Sequence, residues 1–149
     1  MIKEFVRQYG DLHDALILDF RYSRERTSNA KYPTGNVTMT ISRINLVTGK
    51  FEIVKLIFSD VKQFRFLETG QQSTIVVMGA LIEDLGETKR IDFFPIIQGN
   101  DLIWDEESEL HIESANFSFE YIKDANWVVN DDSTFMLCVL CATLRTFVQ

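Results

Sequence analysis

The sequence predicts a mainly β (α+β) fold: an antiparallel, strongly twisted sheet, arranged as a sandwich or a partly open barrel, with a short N-terminal helix and a C-terminal helix. Apolar and polar residues alternate through much of residues 36–66 and again through 116–122, which is the period of half-buried strands. Thr48 and Gly49 divide the first stretch, and such a pair is typical of a hairpin loop. A chain of 149 residues can bury its own core, so we expect a single domain over 1–149.

The central hairpin is predicted from its alternation and its loop. A two-residue loop at Thr48 and Gly49 places apolar residues opposite each other at four positions: Met39 with Phe58, Ile41 with Leu56, Ile44 with Ile53, and Leu46 with Phe51. A three-residue loop with Gly49 in the left-handed conformation would instead oppose Ile41 to Lys55 and Ile44 to Glu52, with less apolar burial. We therefore predict the first register.

The apolar face of this hairpin changes sides along its length. One face carries Met39, Ile41, Leu56 and Phe58, and the other carries Ile44, Leu46, Phe51 and Ile53. A bulge or a strong twist near Arg43 and Val54 would let the hairpin bend around one core. Alternatively, the tip overhangs the domain and offers its second face to a partner or to a second copy of the chain, since contiguous exposed apolar surface marks association.

The elements before and after the hairpin follow from shorter patterns. Apolar residues have helical spacing over Ile2–Tyr9, and Gly10 follows where a helix would end. Residues 15–22 alternate as a strand, and the polar residues 23–35 predict a long loop. Residues 74–82 are almost continuously apolar, which predicts a central strand covered on both faces.

The second half is predicted to contain further short strands. After a corner at Ser59 and Asp60, residues 61–66 continue the sheet. Residues 89–97 form a strand that Pro95 ends or confines to an edge, and 102–104 form a short strand. Residues 109–113 and 116–122 alternate and are predicted to pair as a closing hairpin through residues 114–115.

The C-terminal segment is predicted to be a helical appendage within residues 131–149. Residues 134–148 contain neither Gly nor Pro and follow residues that cap helices, although a strand is the alternative. This helix would be apolar on nearly every side, so it would be buried or paired with another molecule. The pattern therefore favours a homodimer.

The charge of the chain limits its partners. A net charge of −7 disfavours nucleic acid and anionic membranes, both of which bind basic surfaces, and favours a basic protein partner. No uninterrupted apolar run has transmembrane length, and the first ten residues, with Lys3, Glu4 and Arg7, do not resemble a secretory leader. We therefore expect a cytoplasmic protein that binds neither membrane nor nucleic acid.

The cysteines do not predict a redox or metal site. Cys138 and Cys141 have the C-x-x-C spacing, but they lie in an apolar run, and zinc needs more ligands than this pair. We expect two reduced, buried thiols. The sequence contains no glycine-rich phosphate loop, nucleophile elbow or zinc ligand set, so no cofactor and no metal are predicted.

His13 and Asp14 form the one pair that suggests catalysis. Adjacent His and Asp residues occur in metal phosphohydrolases, where a carboxylate orients an imidazole. Those enzymes need further ligands, and the only other histidine is His111, on a predicted strand. The simpler interpretation is that one of the two side chains binds backbone groups at the turn before the first strand. No catalytic residue is predicted.

The densest acidic run is the strongest candidate for a partner-binding surface. It consists of Asp105, Glu106, Glu107 and Glu109 and follows Trp104. A charge run is often only a solvated loop, but a patch of one sign also speeds encounter with a partner of the opposite sign. Aromatic residues supply anchors at such surfaces, and Trp104 and Phe51 are the predicted ones here.

Three short motifs carry a resemblance to a known group of proteins. They are LHDALI at 12–17, FSDVKQF at 58–64 and FSFEY at 117–121. In this order they resemble a group of small bacterial β-rich proteins that includes a family of immunity proteins of polymorphic-toxin systems and uncharacterised relatives. The resemblance covers residues 12–124, and the apolar tail from Asp131 onward departs from it. It implies binding rather than turnover.

These observations lead to three hypotheses about function. The first is a non-catalytic binding protein, of the kind that acts as an antidote to a toxin, which uses the acidic run and its aromatic anchors. The second is a small-ligand-binding domain whose pocket, inside a curved sheet, is lined by Phe58, Phe64, Phe93 and Phe119. The third and weakest is a hydrolase that uses His13 and Asp14.

Overall fold

The computed structural model describes residues 1–25, 34–67, 75–76 and 79–125. Its elements are α1 (Ile2–Tyr9), β1 (Ala15–Glu25), β2 (Thr34–Ile44), β3 (Phe51–Phe66), β4 (Ile75–Val76), β5 (Leu81–Asp84), β6 (Lys89–Asp92), β7 (Ile96–Gln98), β8 (Asp101–Ile103) and β9 (Leu110–Asp124). Most of the predicted loop 23–35, the C-terminal helix 134–148, the appendage 131–149 and both cysteines lie outside the described residues.

The predicted fold class is confirmed. Seven antiparallel strands form one sheet in the order β4-β1-β2-β3-β9-β6-β5, and β7 and β8 form a separate pair. The N-terminal helix has the predicted bounds, and the Gly10 N–H donates to the Val6 carbonyl at 2.8 Å where the helix ends. Gly10 has a φ of 65°, a conformation that glycine adopts without strain. Among the strands that the structure describes, this order leaves β4 and β5 at the two edges of the sheet.

The β2–β3 hairpin exists, but its predicted register is wrong by two residues. Met39 lies opposite Leu56 and Ile41 opposite Val54, so the loop covers residues 45–50. The longer loop forms because the Asn45 side chain accepts the Val47 N–H at 2.9 Å and so stabilises a turn earlier than Thr48. A shift by two residues keeps each side chain on its face. The predicted core face of Met39, Ile41, Leu56 and Phe58 is therefore buried.

The loop of the hairpin is held against α1, while Leu46 and Phe51 of its predicted second face are exposed. The Leu46 N–H donates to the Gln8 carbonyl at 2.7 Å, and the Tyr9 hydroxyl donates to Glu52 at 2.8 Å, so the loop is held against α1. The β2–β3 register runs without interruption from Val37 to Ile44. The irregularity near Val54 lies instead in the pairing of β3 with β9, between Ile53 and Val54.

The predicted central strand over residues 74–82 is wrong. Its residues supply β4 and β5, which lie at opposite edges of the sheet. Between them Gly79 has a φ of 95°, and the Ala80 N–H donates to the Asp11 carbonyl, so the chain leaves one edge and crosses to the other. Val76 and Ala80 of this apolar run are buried against the core, although neither lies in a central strand.

The predicted closing hairpin is also wrong, because β9 continues through residues 114–115. It pairs with β3 from Leu110 opposite Phe66 to Asp124 opposite Glu52. β3 likewise continues through the predicted corner, where Asp60 has a φ of 55° and the register shifts between Val61 and Gln63. Extended pairing with β3 satisfies more backbone groups than a tight turn at 114–115 would.

These irregularities curl the sheet around its core. Phe20 on β1 stacks on Phe66 at 4.8 Å between ring centroids, although β2 separates β1 from β3 in the sheet. At the other end α1 closes the core, where Phe5 contacts Phe117 at 5.3 Å and Phe119 at 5.2 Å. On the opposite surface the ring of Trp104 lies against the buried His111 of β9, and residues 93–108 carry the candidate site.

Candidate functional site

The predicted strand 89–97 is split into β6 and β7, because the chain leaves the main sheet after Asp92. The Phe93 N–H still donates to the Leu110 carbonyl at 2.9 Å, but Pro95 has no N–H to extend the pairing. The chain then forms β7 and β8 around a turn at residues 99–100. Gly99 has a φ of 66°, the positive value that a two-residue hairpin turn with glycine first requires. The result is a small hairpin separate from the seven-stranded sheet.

This β7–β8 hairpin exposes apolar side chains on both faces. Ile96 lies opposite Ile103, and Ile97 lies opposite Leu102. Ile96 is 50% exposed, Ile97 48% and Ile103 38%. Because successive side chains of a strand point to opposite faces, Ile96 and Ile103 lie on one face of the hairpin and Ile97 lies on the other. Isolated two-stranded hairpins have little stability of their own in water, and exposed apolar side chains on such an element are typical of interaction sites. We call the exposed side chains of Ile96, Ile97 and Ile103 together the isoleucine patch.

Asp92 fixes both ends of the segment that carries the hairpin. Its fully buried carboxylate accepts the Phe94 N–H and the Asp105 N–H, each at 3.0 Å, and also the Ser108 hydroxyl. A buried carboxylate requires several donors to offset its loss of hydration. The Asp92 side chain therefore defines where the hairpin leaves the sheet and where it returns.

Trp104 forms the second part of this base. Its ring lies 4.8 Å from the imidazole of His111, which is fully buried, and the Arg90 guanidinium lies 4.6 Å from the ring centroid. The Arg90 side chain also pairs with Glu83 at 2.5 Å. A cation over an indole face is an attractive contact. Trp104, which was predicted to contact a partner, is partly buried and packs against His111 and Arg90 at the base of the hairpin.

His111 is held between this tryptophan and a polar neighbour. Its Nε2 atom lies 3.3 Å from Nε2 of Gln63, and its Nδ1 atom has no hydrogen-bond partner among the described residues. His111 shares the row across β3, β9 and β6 with Arg65 and Asp92. The imidazole therefore belongs to the base of the hairpin, far in sequence from His13.

The acidic run has both internal and exposed members. Asp105 accepts the Glu107 N–H at 2.9 Å through its side chain, so it shapes the turn. Glu107 is exposed and pairs with Arg65 at 2.5 Å. Glu106 is exposed, and Glu109 is partly buried, with its carbonyl accepting the Leu67 N–H. Residues 96–109 contain five carboxylate side chains and no lysine or arginine.

Phe51 is not part of this site. It lies at the first residue of β3, where its carbonyl accepts the Ala125 N–H, whereas Arg65, the partner of Glu107, lies at the opposite end of the same strand. Phe51 is 45% exposed. The predicted set of partner-binding residues is therefore divided between two ends of a long strand.

The other predicted sites are placed as follows. His13 Nδ1 lies 2.9 Å from the Asp14 carboxylate, and both side chains are half exposed or more. Asp11, rather than either of these two, binds the backbone at the turn by accepting the His13 N–H. Among the described residues no group of three His, Cys, Asp or Glu side chains is arranged to hold a metal ion.

The predicted phenylalanine pocket does not assemble. Phe58 and Phe93 are buried in the core, and Phe119 packs against it. Phe64 packs against the same core from the second half of β3, where it lines a surface groove. These four side chains therefore contribute mainly to packing.

The isoleucine patch was missed by the sequence analysis, although the sequence contains its pattern. Gly99 and Asn100 lie between two short apolar segments, and this arrangement is a recognised hairpin pattern.

No helix in the described ranges is both long enough and apolar enough to cross a membrane. Comparison of the chain with protein-family models, with curated proteins and with solved structures found no match.

Proposed function

We propose that this protein is a non-catalytic binding protein that holds a basic partner protein against the β7–β8 hairpin. The observation that carries the proposal is the isoleucine patch, which lies on a hairpin outside the main sheet and next to the acidic run. Enzymatic function would need a convergent set of polar groups, whereas Asp92, Arg65 and Glu107 in this region are engaged with groups of the chain itself.

The apolar side chains supply the binding energy in this proposal. Burial of apolar surface contributes roughly 25 cal/mol for each Å² removed from water, so a partner that covers both faces of the hairpin gains from Ile96 and Ile103 on one face and from Ile97 on the other. Asp92 and Trp104 anchor the base of the hairpin before any partner arrives. Preorganisation of this kind reduces the conformational entropy lost on binding.

The charge around the patch selects the partner. Residues 96–109 supply five carboxylates and no cation of their own, and although Arg65 pairs with Glu107, the remaining carboxylates produce a negative field around the isoleucines. Such a field speeds association with a basic surface and slows association with an acidic one. It also disfavours dimerisation through this hairpin, because each copy carries a net charge of −7.

The resemblance to immunity proteins indicates the class of binding protein that we propose. An antidote of a cytoplasmic toxin binds its target tightly and performs no chemistry, and enzymes that act on nucleic acid present basic surfaces. We therefore propose a cytoplasmic antidote that covers a basic surface of a toxin with the isoleucine patch and the acidic run.

The experiment is a capture from the native host, followed by binding measurements with the identified protein. Wild-type protein, Ile97→Asp and Val47→Asp are compared, because Val47 is 59% exposed and lies in the β2–β3 loop, away from the hairpin. We expect Ile97→Asp to raise the Kd by about tenfold or more and Val47→Asp to leave it unchanged. We also expect the partner to be basic and the association rate to fall with added salt.

The opposite results would overturn the proposal. An acidic partner, or a Kd that responds to Val47→Asp rather than to Ile97→Asp, would place the interface elsewhere. Measurement of mass in solution addresses the homodimer separately: a dimer that Ile97→Asp converts to a monomer would mean that the patch binds a second copy of the chain.

A further inference from the structure

A surface groove lies at the side of the curled sheet, where the end of β1 and the start of β2 meet the bend of β3. Its volume is about 450 Å³. The lining includes Tyr22, Arg24, Gly35, Asp60, Lys62 and Phe64. This volume is in the range of sites that hold small organic molecules. None of these residues belongs to the β7–β8 hairpin, so the groove is independent of the proposed protein interface.

One wall of the groove is aromatic and fixed in position. The rings of Tyr22 and Phe64 lie 4.7 Å apart at an interplanar angle of 32°. Gly35 allows the Tyr22 ring to lie against its backbone, since a Cβ atom there would be 2.9 Å from Cε2 of the tyrosine. Two adjacent rings held in this way form a surface on which a flat apolar group can pack.

The same groove carries two cations. Nε of Arg24 donates to the Tyr22 hydroxyl at 3.0 Å, which orients the guanidinium beside the aromatic wall. Nζ of Lys62 donates to the hydroxyl of Thr88. Neither cation forms an ion pair with a carboxylate of the described residues. In a chain with a net charge of −7, two cations that share a groove and form no ion pair within the described ranges are suited to an anion from outside the chain.

The backbone at the edge of the groove adopts a rare conformation. Asp60 has a φ of 55°, in the left-handed region that residues other than glycine seldom occupy. Its carboxylate accepts the Asn116 side-chain N–H at 3.0 Å, so it is directed to β9 and is already engaged. Residues held in such conformations occur often at ligand sites.

We propose that this groove binds a small organic anion that has a flat apolar part. The carboxylate or phosphate group of the ligand accepts hydrogen bonds from Arg24 and Lys62, and its apolar part packs on Tyr22 and Phe64. The site therefore takes aromatic acids or aromatic phosphate esters in preference to the corresponding inorganic anions.

The test is a titration followed by the amide resonances of the full chain, with benzoate and phenyl phosphate as probes. We expect saturable shifts at Gly35, Val61 and Gln63 for at least one probe, with a Kd of about 1 mM or tighter. The tighter of the two probes identifies whether the site prefers carboxylate or phosphate. Acetate and inorganic phosphate, which lack the ring, should bind about tenfold more weakly.

Two double variants distinguish binding in the groove from a general effect of charge on the Kd. The double variant Arg24→Gln with Lys62→Gln should raise the Kd by about tenfold or more, because it removes both charged donors. The pair Lys3→Gln with Lys50→Gln removes the same charge from exposed positions outside the groove and should leave the Kd unchanged. All these side chains are exposed, so the variants should keep the wild-type spectrum. Absence of saturable shifts in the groove, equal binding of the ring-free anions, or equal effects of the two double variants would overturn the proposal.

Discussion

The carboxylate of Asp92 accepts the backbone N–H of Asp105 at 3.0 Å and so joins the last residue of β6 to the residue that follows Trp104. This one contact closes the chain segment that carries the β7–β8 hairpin. The predicted acidic run begins at Asp105, where this segment ends. The turn that Asp105 forms therefore determines where the exposed carboxylates of Glu106 and Glu107 lie.

Replacement of Asp92 by Asn should loosen the hairpin. An amide has one acceptor oxygen in place of two and carries no charge, so at least one of the three donors loses its partner. We expect a loss of about 1–3 kcal/mol in the free energy of unfolding, measured with urea. Asp101→Asn, an exposed change on the same hairpin, should alter stability by less than about 0.5 kcal/mol. Equal effects of the two variants would mean that Asp92 does not hold the segment.

Removal of the Tyr9 hydroxyl should weaken the attachment of α1 to the hairpin loop. That hydroxyl donates to Glu52, a buried carboxylate whose other donors are Asn45 and Thr48. We expect Tyr9→Phe to reduce the free energy of unfolding by about 1–2 kcal/mol at neutral pH. The control is Tyr121→Phe, which removes an exposed hydroxyl bonded to Asp124 and should have a much smaller effect.

The same tyrosine predicts a dependence of stability on alkaline pH. Burial, and then the hydrogen bond to Glu52, raise the pKa of Tyr9 above its ordinary value of 10.0. Above pH 10 the unfolded chain releases this proton while the folded chain keeps it, so the folded state loses stability as pH rises. Tyr9→Phe lacks this contribution, and we expect its unfolding free energy to fall less steeply above pH 10 than that of the wild type. Parallel curves would contradict the buried position of the hydroxyl.

The observed register of the β2–β3 hairpin places Leu56 in the centre of the core. Leu56 is fully buried, opposite Met39 on one side and Phe119 on the other. We expect Leu56→Ala to reduce the free energy of unfolding by about 2–5 kcal/mol because it leaves a cavity. Ile97→Ala, in the isoleucine patch, should change it by less than about 0.5 kcal/mol. A large effect at Ile97 would show that the patch is internal packing.

The backbone conformation of Asp60 predicts an unusual order of stability for its glycine and alanine variants. Because the φ of Asp60 is 55°, glycine there should give a more stable protein than alanine, by about 1–2 kcal/mol. Both variants lose the hydrogen bond to Asn116, so that loss cancels in the comparison. At the neighbouring Ser59, which has no positive φ, the order should be reversed. Thermal or urea unfolding of the four variants tests both comparisons.

Alternation of apolar residues was sufficient to predict the sheet, because it depends only on which face of a strand is buried. Met39, Ile41, Leu56 and Phe58 were assigned to one buried face, and they are buried together. The register was wrong because Asn45 turns the chain three residues before Thr48. Side-chain capping of a turn is a local polar effect that an apolar pattern does not contain.

The pattern of apolar residues did not predict which strands lie side by side in the sheet. The run 74–82 reads as one buried strand, yet Gly79 divides it between two edges of the sheet. Residues 114–115 were predicted to turn because Ser and Ala interrupt the alternation, whereas pairing with β3 keeps them extended. In both cases the outcome depends on which strand lies alongside, and a single sequence does not specify that neighbour.

The candidate site was predicted in part. The acidic residues were identified from their charge, but their roles differ, since Asp105 faces the turn and Glu106 faces solvent. Trp104 was predicted to be an anchor for a partner, and its described contacts are with His111 and Arg90. The three isoleucines were not singled out, because two of them were assigned to a strand of the main sheet that Pro95 ends.

The long pairing of β3 with β9 also affects how the chain reaches its native state. Phe66 and Leu110 are the paired residues nearest along the chain, and Glu52 and Asp124 are the most distant. Because the entropy lost on loop closure grows with separation, we expect contact to begin at the Phe66 end and to zip toward Glu52. Such non-local pairing makes folding slow, and the two halves of the curled sheet should form in one kinetic step rather than as separate units.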